Sequence, residues 1–151
     1  MKKNLLSILC FLSVFSLQGQ EDPIEEIITI VSKIPVKSEN VLSTVDTLDK
    51  AALKRTVPRD FLSILSNSFA IDTSSNGGPG QVASIFLRGT NSNQTLVKVN
   101  GIKINPSTAG GASIYNFDPS LIAKIEIGSG PFSSIHGSEA IGGIINISTF
   151  E

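Results

Sequence analysis

Cysteine is almost absent from this chain of 151 residues, with Cys10 the only one. It lies in the apolar N-terminal run, so a mature chain cleaved behind that run has no thiol. Disulfides and thiolate metal sites are thereby excluded. Histidine is equally scarce. His136 stands alone, with no second histidine or ordered carboxylate pair beside it, so no metal-ligand cluster is expected. Ser138 and Glu139 follow it without the spacing of a catalytic triad. The net charge is −1, which leaves no basic face of the kind nucleic acid needs. Beyond the N-terminus no run approaches the roughly 20 apolar residues of a spanning helix. The Gly-rich loop lacks a following Gly-Lys-Ser/Thr, so it is no phosphate cradle. No internal repeat and no low-complexity tract is present. Neither an enzyme nor a cofactor is expected.

What is there begins with a secretion signal. Lys2 and Lys3 precede an apolar stretch, Leu5 to Leu17, and then polar Gln18-Gly19-Gln20-Glu21-Asp22-Pro23. That layout predicts a signal peptide over 1–20, cleaved near Gly19 or Gln20. Residues 21–40 read as a flexible lead with no buried-core pattern. Inside it lies the β-branched run Ile27-Ile28-Thr29-Ile30-Val31, bracketed by Pro23 and Pro35, which oppose helix. A folded domain is expected over 41–151. Val41 to Leu48 suggests a strand. Asp46 or Asp49 is placed to cap a short helix ending near Arg55. Pro58 is read as opening a second helix over Arg59 to Ser66, with Phe61, Leu62, Ile64 and Leu65 on its buried face.

From Phe69 onward the chain is β-rich and punctuated by glycine. Phe69-Ala70-Ile71, Val82 to Leu87, Thr95 to Val99, Ala123 to Ile127 and Ile144 to Ser148 read as strands. Asn76 to Gln81 and Asn105 to Ser113 read as loops. Asn100-Gly101 predicts a type I′ hairpin turn returning through Ile102-Lys103-Ile104. The run Gly130 to Ile147 holds four glycines among small and β-branched residues. That is too many for a helix and too regular in apolar spacing for a linker.

Several blocks, in order, carry a family likeness. They are Glu25 to Pro35, Asp60 to Leu65, Ile85-Phe86-Leu87-Arg88-Gly89, Asn93 to Asn105, and Gly130 to Ile147. This pattern resembles the plug domain of TonB-dependent outer-membrane receptors. Asn76 to Gln81 together with Ser84 to Asn91 most resembles the cobalamin-receptor branch. The resemblance implies an α+β fold, a small mixed β-sheet with short helices and long loops. It implies a gating plug for uptake of cobalamin or a metal chelate, secreted to the periplasmic side of the outer membrane.

The resemblance also implies site residues. Glu25, Glu26, Ile27, Ile28, Thr29, Ile30 and Val31 correspond to the TonB box, which would add as a strand to the C-terminal domain of TonB. The plain alternative is an edge strand of the domain itself. Asn76, Gly77, Gly78, Gly80 and Gln81, with Ser107, Thr108 and Ser113, would face a polar ligand or be simple hairpin loops. Arg88 would contact the barrel wall or pair within the plug. Three positions depart from the family pattern. Asn100 replaces an acidic residue, Ser129 an arginine, and His136 an aromatic. The implied barrel has about 22 strands of about 9–11 residues each, and this chain ends at Glu151. The expectation is therefore a plug whose barrel, if any, is supplied separately. The alternatives are a free-standing periplasmic module that binds ligand or TonB, or a truncated receptor fragment.

Overall fold

A computed structural model describes residues 27–30, 36–37, 44–56, 60–68, 70–78, 80–106, 108, 111–114 and 116–150. The expected signal peptide and residues 38–43, 57–59 and 69 lie outside them. Its centre is a five-stranded mixed sheet with the order β3-β8-β9-β6-β7. These strands are β3 (Thr44–Leu48), β6 (Thr95–Val99), β7 (Ile102–Lys103), β8 (Ile122–Ser129) and β9 (Gly143–Thr149). β9 pairs antiparallel with β8, Ile125 opposite Ile147 and Ile127 opposite Ile145. On its other side it pairs parallel with β6, Leu96 opposite Ile144 and Val97 opposite Ile145. β3 closes one edge against β8. Two small two-stranded ladders lie outside this sheet: β1 (Ile27–Ile28) with β2 (Val36–Lys37), and β4 (Ile71–Ser75) with β5 (Ala83–Leu87).

Local chemistry sets the helix starts. Asp49 caps α1 (Lys50–Thr56), accepting the Ala52 amide at 2.7 Å through Oδ1. α2 is Phe61–Ser66, and its start is set by Asp60, not Pro58. Asp60 Oδ1 accepts from the Ser63 amide at 2.7 Å, while Ser63 Oγ answers the Asp60 backbone. This is a reciprocal capping box. The Asn100-Gly101 turn has φ of 49° and 80°, as a type I′ turn requires. Two elements differ from the sequence reading. β4 runs through Asp72, Thr73, Ser74 and Ser75, polar residues that disguise a strand. The glycine-rich run contains one helical turn, α3 (Ser133–His136).

Because side chains alternate along a strand, the central sheet has two distinct faces. Val97, Ile125, Ile127, Ile145 and Ile147 point to one and pack with Phe61, Ile64 and Leu65 of α2 and Ile71, Ile85 and Leu87 of the β4–β5 hairpin. Leu96 and Ile144 point to the other and pack with Ile28, Ile30, Phe132 and Ala140. The stretch 27–30, read from sequence as a flexible lead without a core pattern, is thus part of a core. Ile28 and Ile30 are each 2% exposed, while Ile27 is 50% exposed. The physical reason is period two: Ile28 and Ile30 fall on one side of an extended chain and find an unfilled sheet face.

Candidate functional site

The second face is where side chains with chemistry gather. Glu126 projects from the middle of β8 and is 1% exposed. A carboxylate in that position must find donors. Glu126 finds four. Oε1 accepts from the Thr29 amide at 3.2 Å and from Lys124 Nζ at 3.0 Å. Oε2 accepts from Thr29 Oγ1 at 2.6 Å and from Asn146 Nδ2 at 3.2 Å. Four donors meet the roughly four lone-pair sites of a carboxylate. Burial pushes the Glu126 carboxyl up, but the hydrogen bonds from Thr29, Lys124 and Asn146 and the Lys124 charge outweigh it. The group lies below the usual glutamate value.

The same neighbours hold the backbone of 27–30. Lys124 Nζ donates to the Ile27 carbonyl at 2.6 Å. His136 Nε2 lies 2.7 Å from the Ile30 carbonyl, and Nδ1 lies 3.0 Å from Lys98 Nζ. A carbonyl only accepts and an ammonium only donates. The two contacts therefore assign the proton to Nε2 and leave Nδ1 as acceptor. Gly128, two residues after Glu126, completes the seat. A Cβ there would stand 2.8 Å from Ile30 Cδ1 and 2.8 Å from Phe132. Only glycine lets Ile30 lie this close to β8.

On the opposite side of the sheet, a cleft of about 330 Å³ opens between α2 and the β4–β5 hairpin. Gly77, Gly78, Gly80 and Gln81 line it beside Ser63 and Thr73. Its loop is closed by the Asn76 amide donating to the Val82 carbonyl at 3.1 Å. Gly80 approaches Asn116, whose Oδ1 is 3.4 Å from where a Cβ would be. The first predicted loop therefore meets the segment just after the second. Thr108 and Ser113 are exposed, and Ser107 is outside the described residues. Asn105, which begins that second loop, is buried and structural. It bonds the Val97 amide and the Thr95 carbonyl at 2.7 and 3.0 Å. Arg88 follows β5 in the turn, at φ 53° and with an exposed side chain, and it makes no ion pair among the described residues. Ser129 is buried, and its hydroxyl has no partner among the described residues.

Residues 37–144 match the family described as TonB-dependent Receptor Plug Domain. The chain belongs to that family. Vitamin B12 transporter BtuB of Vibrio vulnificus is 37% identical over 153 residues, spanning 99% of this chain and 25% of that protein. The plug thus spans about a quarter of that relative's length. Among solved structures, siderophore receptor PirA from Acinetobacter baumannii superimposes with a TM-score of 0.57 at 26% identity. It covers 71% of this chain, which in turn spans 17% of that one. The alcaligin outer membrane receptor FauA from Bordetella pertussis gives 0.68 at 15% identity, covering 89% of this chain and 23% of that one. At that identity the likeness is one of fold. It agrees with the expected mixed sheet, short helices and long loops.

Of the positions that the family resemblance led us to expect in a TonB box, the structure brings Ile27 to Ile30 onto the sheet, while Glu25, Glu26 and Val31 lie outside the described residues. The residues that grip this stretch were missed by sequence reading: Glu126, Lys124, Asn146, Lys98 and His136. One signal was available. In Lys124-Ile125-Glu126-Ile127 the charges alternate with isoleucines, so a strand buried on its isoleucine face must turn both charges to the other face.

Proposed function

We propose that this plug gates an outer-membrane uptake pore for cobalamin or a metal chelate. The observation that carries the reading is the 37% identity to a vitamin B12 transporter, sustained over 99% of this chain. In this reading residues 1–20 are the secretion signal, residues 21–40 carry the TonB box, and residues 41–151 form the plug. Glu25 to Val31 adds as a strand to the C-terminal domain of TonB. The loops at Asn76 to Gln81 and Ser107 to Ser113 meet the ligand, and the hydroxyl- and glycine-lined cleft beside the first suits a polar one. Arg88, exposed and without an ion pair among the described residues, meets carboxylates of an approximately 22-stranded barrel wall. The plug itself performs no chemistry.

The box assignment is tested with a peptide. Residues Glu21 to Val36 are titrated against the TonB C-terminal domain, wild type beside Ile28→Pro and Ile30→Pro. Main-chain pairing should give binding by the wild type. Both prolines should abolish it, since each removes a donor and fixes φ. Equal binding by all three, or none by the wild type, would sink the assignment.

A further inference from the structure

An asparagine followed by glycine can lose its side-chain amide without an enzyme, because glycine puts no side chain in the way of its own backbone nitrogen. The chain has two such dipeptides among the described residues, Asn76-Gly77 and Asn100-Gly101. Both are exposed, so water reaches each of them. The fold treats them differently. The Asn100 side chain is held at both ends by the close of β9. Nδ2 donates to Thr149 Oγ1 at 2.8 Å, and Oδ1 accepts from the Thr149 amide at 2.9 Å. The Asn100 backbone amide donates to the Ile147 carbonyl at 2.8 Å. Asn76 is fixed only through its backbone, whose amide donates to the Val82 carbonyl at 3.1 Å. Its side chain makes no hydrogen bond to a described residue. The neighbouring Gly77 amide has only Ser75 Oγ, at 3.4 Å, which is long for a hydrogen bond.

From this we infer that Asn76 is a self-modifying site: in the folded chain its side-chain amide is lost to the Gly77 backbone nitrogen, while Thr149 keeps Asn100 from the same reaction. The Gly77 nitrogen gives up its proton and attacks Asn76 Cγ. A C–N bond forms there, the Cγ–Nδ2 bond breaks, and Nδ2 leaves with that proton as ammonia. The product is a cyclic imide. Water opens it at either carbonyl, to aspartate or to isoaspartate. No electrons change hands, and water is the only co-reactant. Asn100 must first give up both bonds to Thr149 before its Cγ can turn toward Gly101, whereas Asn76 has no such bonds to lose. Either product adds a negative charge to the loop between Ser75 and Gly77, which line the cleft together with Asp60. Isoaspartate also routes the main chain through the former side chain, lengthening it by one carbon. The loop from Asn76 to Val82 then no longer closes in its present register. None of this depends on what the cleft binds.

The test follows the full chain at neutral pH, folded and in denaturant, over days to weeks. Cleavage after lysine and arginine puts Asn76 in the peptide 60–88 and Asn100 in the peptide 99–103. Tandem mass spectrometry then places each aspartate and isoaspartate. Each asparagine is compared with itself in the two conditions, so the flanking sequence cancels. Asn76 should convert in the folded chain at close to its denatured rate. Asn100 should convert about tenfold or more slowly than its denatured rate, since two hydrogen bonds together carry a factor of this size. Asn76→Gln should abolish conversion at that position and leave Asn100 as it was, because the longer side chain closes its ring far more slowly. Thr149→Val keeps the branched shape and the backbone amide and replaces only the hydroxyl. It should speed conversion at Asn100 several-fold and leave Asn76 unchanged. A folded chain in which Asn76 is slowed as much as Asn100, or in which neither is slowed, overturns the inference. An unchanged Asn100 rate in a Thr149→Val chain with wild-type circular dichroism overturns the part assigned to Thr149. The folded-against-denatured comparison needs no variant, so it decides the matter even if Thr149→Val does not fold.

Discussion

On β8 and β9 the side chains of Ile125, Ile127, Ile145 and Ile147 point to one side, and those of Glu126, Ile144 and Asn146 to the other, where Gly128 leaves room for Ile30 and Phe132. The first side is apolar throughout and lies under α2 and the β4–β5 hairpin. The second combines a small apolar patch with a buried carboxylate and an amide, and four residues of extended chain cover part of it. Apolar burial is non-directional and holds whatever covers it. A hydrogen-bonded carboxylate holds one segment in one register. The first face builds a fold, and the second fixes the stretch 27–30 in place.

The difference is testable. Ile145→Ala, at a position with no exposure, should cost about 2–5 kcal/mol of global stability, as deletions from a close-packed core do. Ile28→Ala removes the same atoms from the other face and should mainly free the stretch 27–30. Denaturant melts of both, read by far-UV circular dichroism, would break the comparison if their midpoints fell equally. Gly128→Ala should follow in size, with overpacking of about 1–3 kcal/mol. It should act by expelling Ile30, so Thr29 exchange should rise while the β6–β9 ladder stays protected. Loss of that ladder would mean that the two faces are not separable.

The smallest effect is in pH. Glu126 has its carboxyl lowered from an ordinary 4.5. For a group whose folded value is depressed, the stabilisation is present above the unfolded value and lost as pH falls through the folded one. The stretch should therefore stay docked at neutral pH and loosen below about pH 4.5. The Thr29 amide resonance, followed from pH 6 to 3, should move with that titration. A Glu126→Gln chain should show no such step. Movement in both would assign the pH response elsewhere.

Much of the architecture was legible in the chain. Thr95–Val99 was placed to the residue, and Asn100-Gly101 fixed its hairpin, because turn chemistry is local. Phe61, Ile64 and Leu65 marked the buried side of α2 by helical spacing. What stayed hidden depends on distant pairing. Asp72 to Ser75 is a strand because Ile85 and Phe86 lie opposite Thr73 and Asp72, not because of its own propensity. The burial of the stretch 27–30 was hidden for the same reason. Glu126 and Thr29 are 97 positions apart, and nothing in either neighbourhood names the other. Of the candidate site, the loop at Asn76 to Gln81 was visible through its glycines, and the contacts from Glu126, Lys124 and His136 to the stretch 27–30 were not visible at all.

The position of β9 in the sheet governs the order in which the domain can form. It is the last of the described strands in sequence, yet it lies between β8 and β6. Its partner Thr95 precedes Gly143 by nearly a third of the chain. Chains emerge during synthesis at about 5–20 residues per second, so for several seconds β6 and β8 exist with no strand between them. The sheet cannot close early and wait for its remaining parts. A nascent chain of this design cannot complete its central sheet until β9 is delivered, and until then β6 and β8 stay unpaired along the edges that β9 will join.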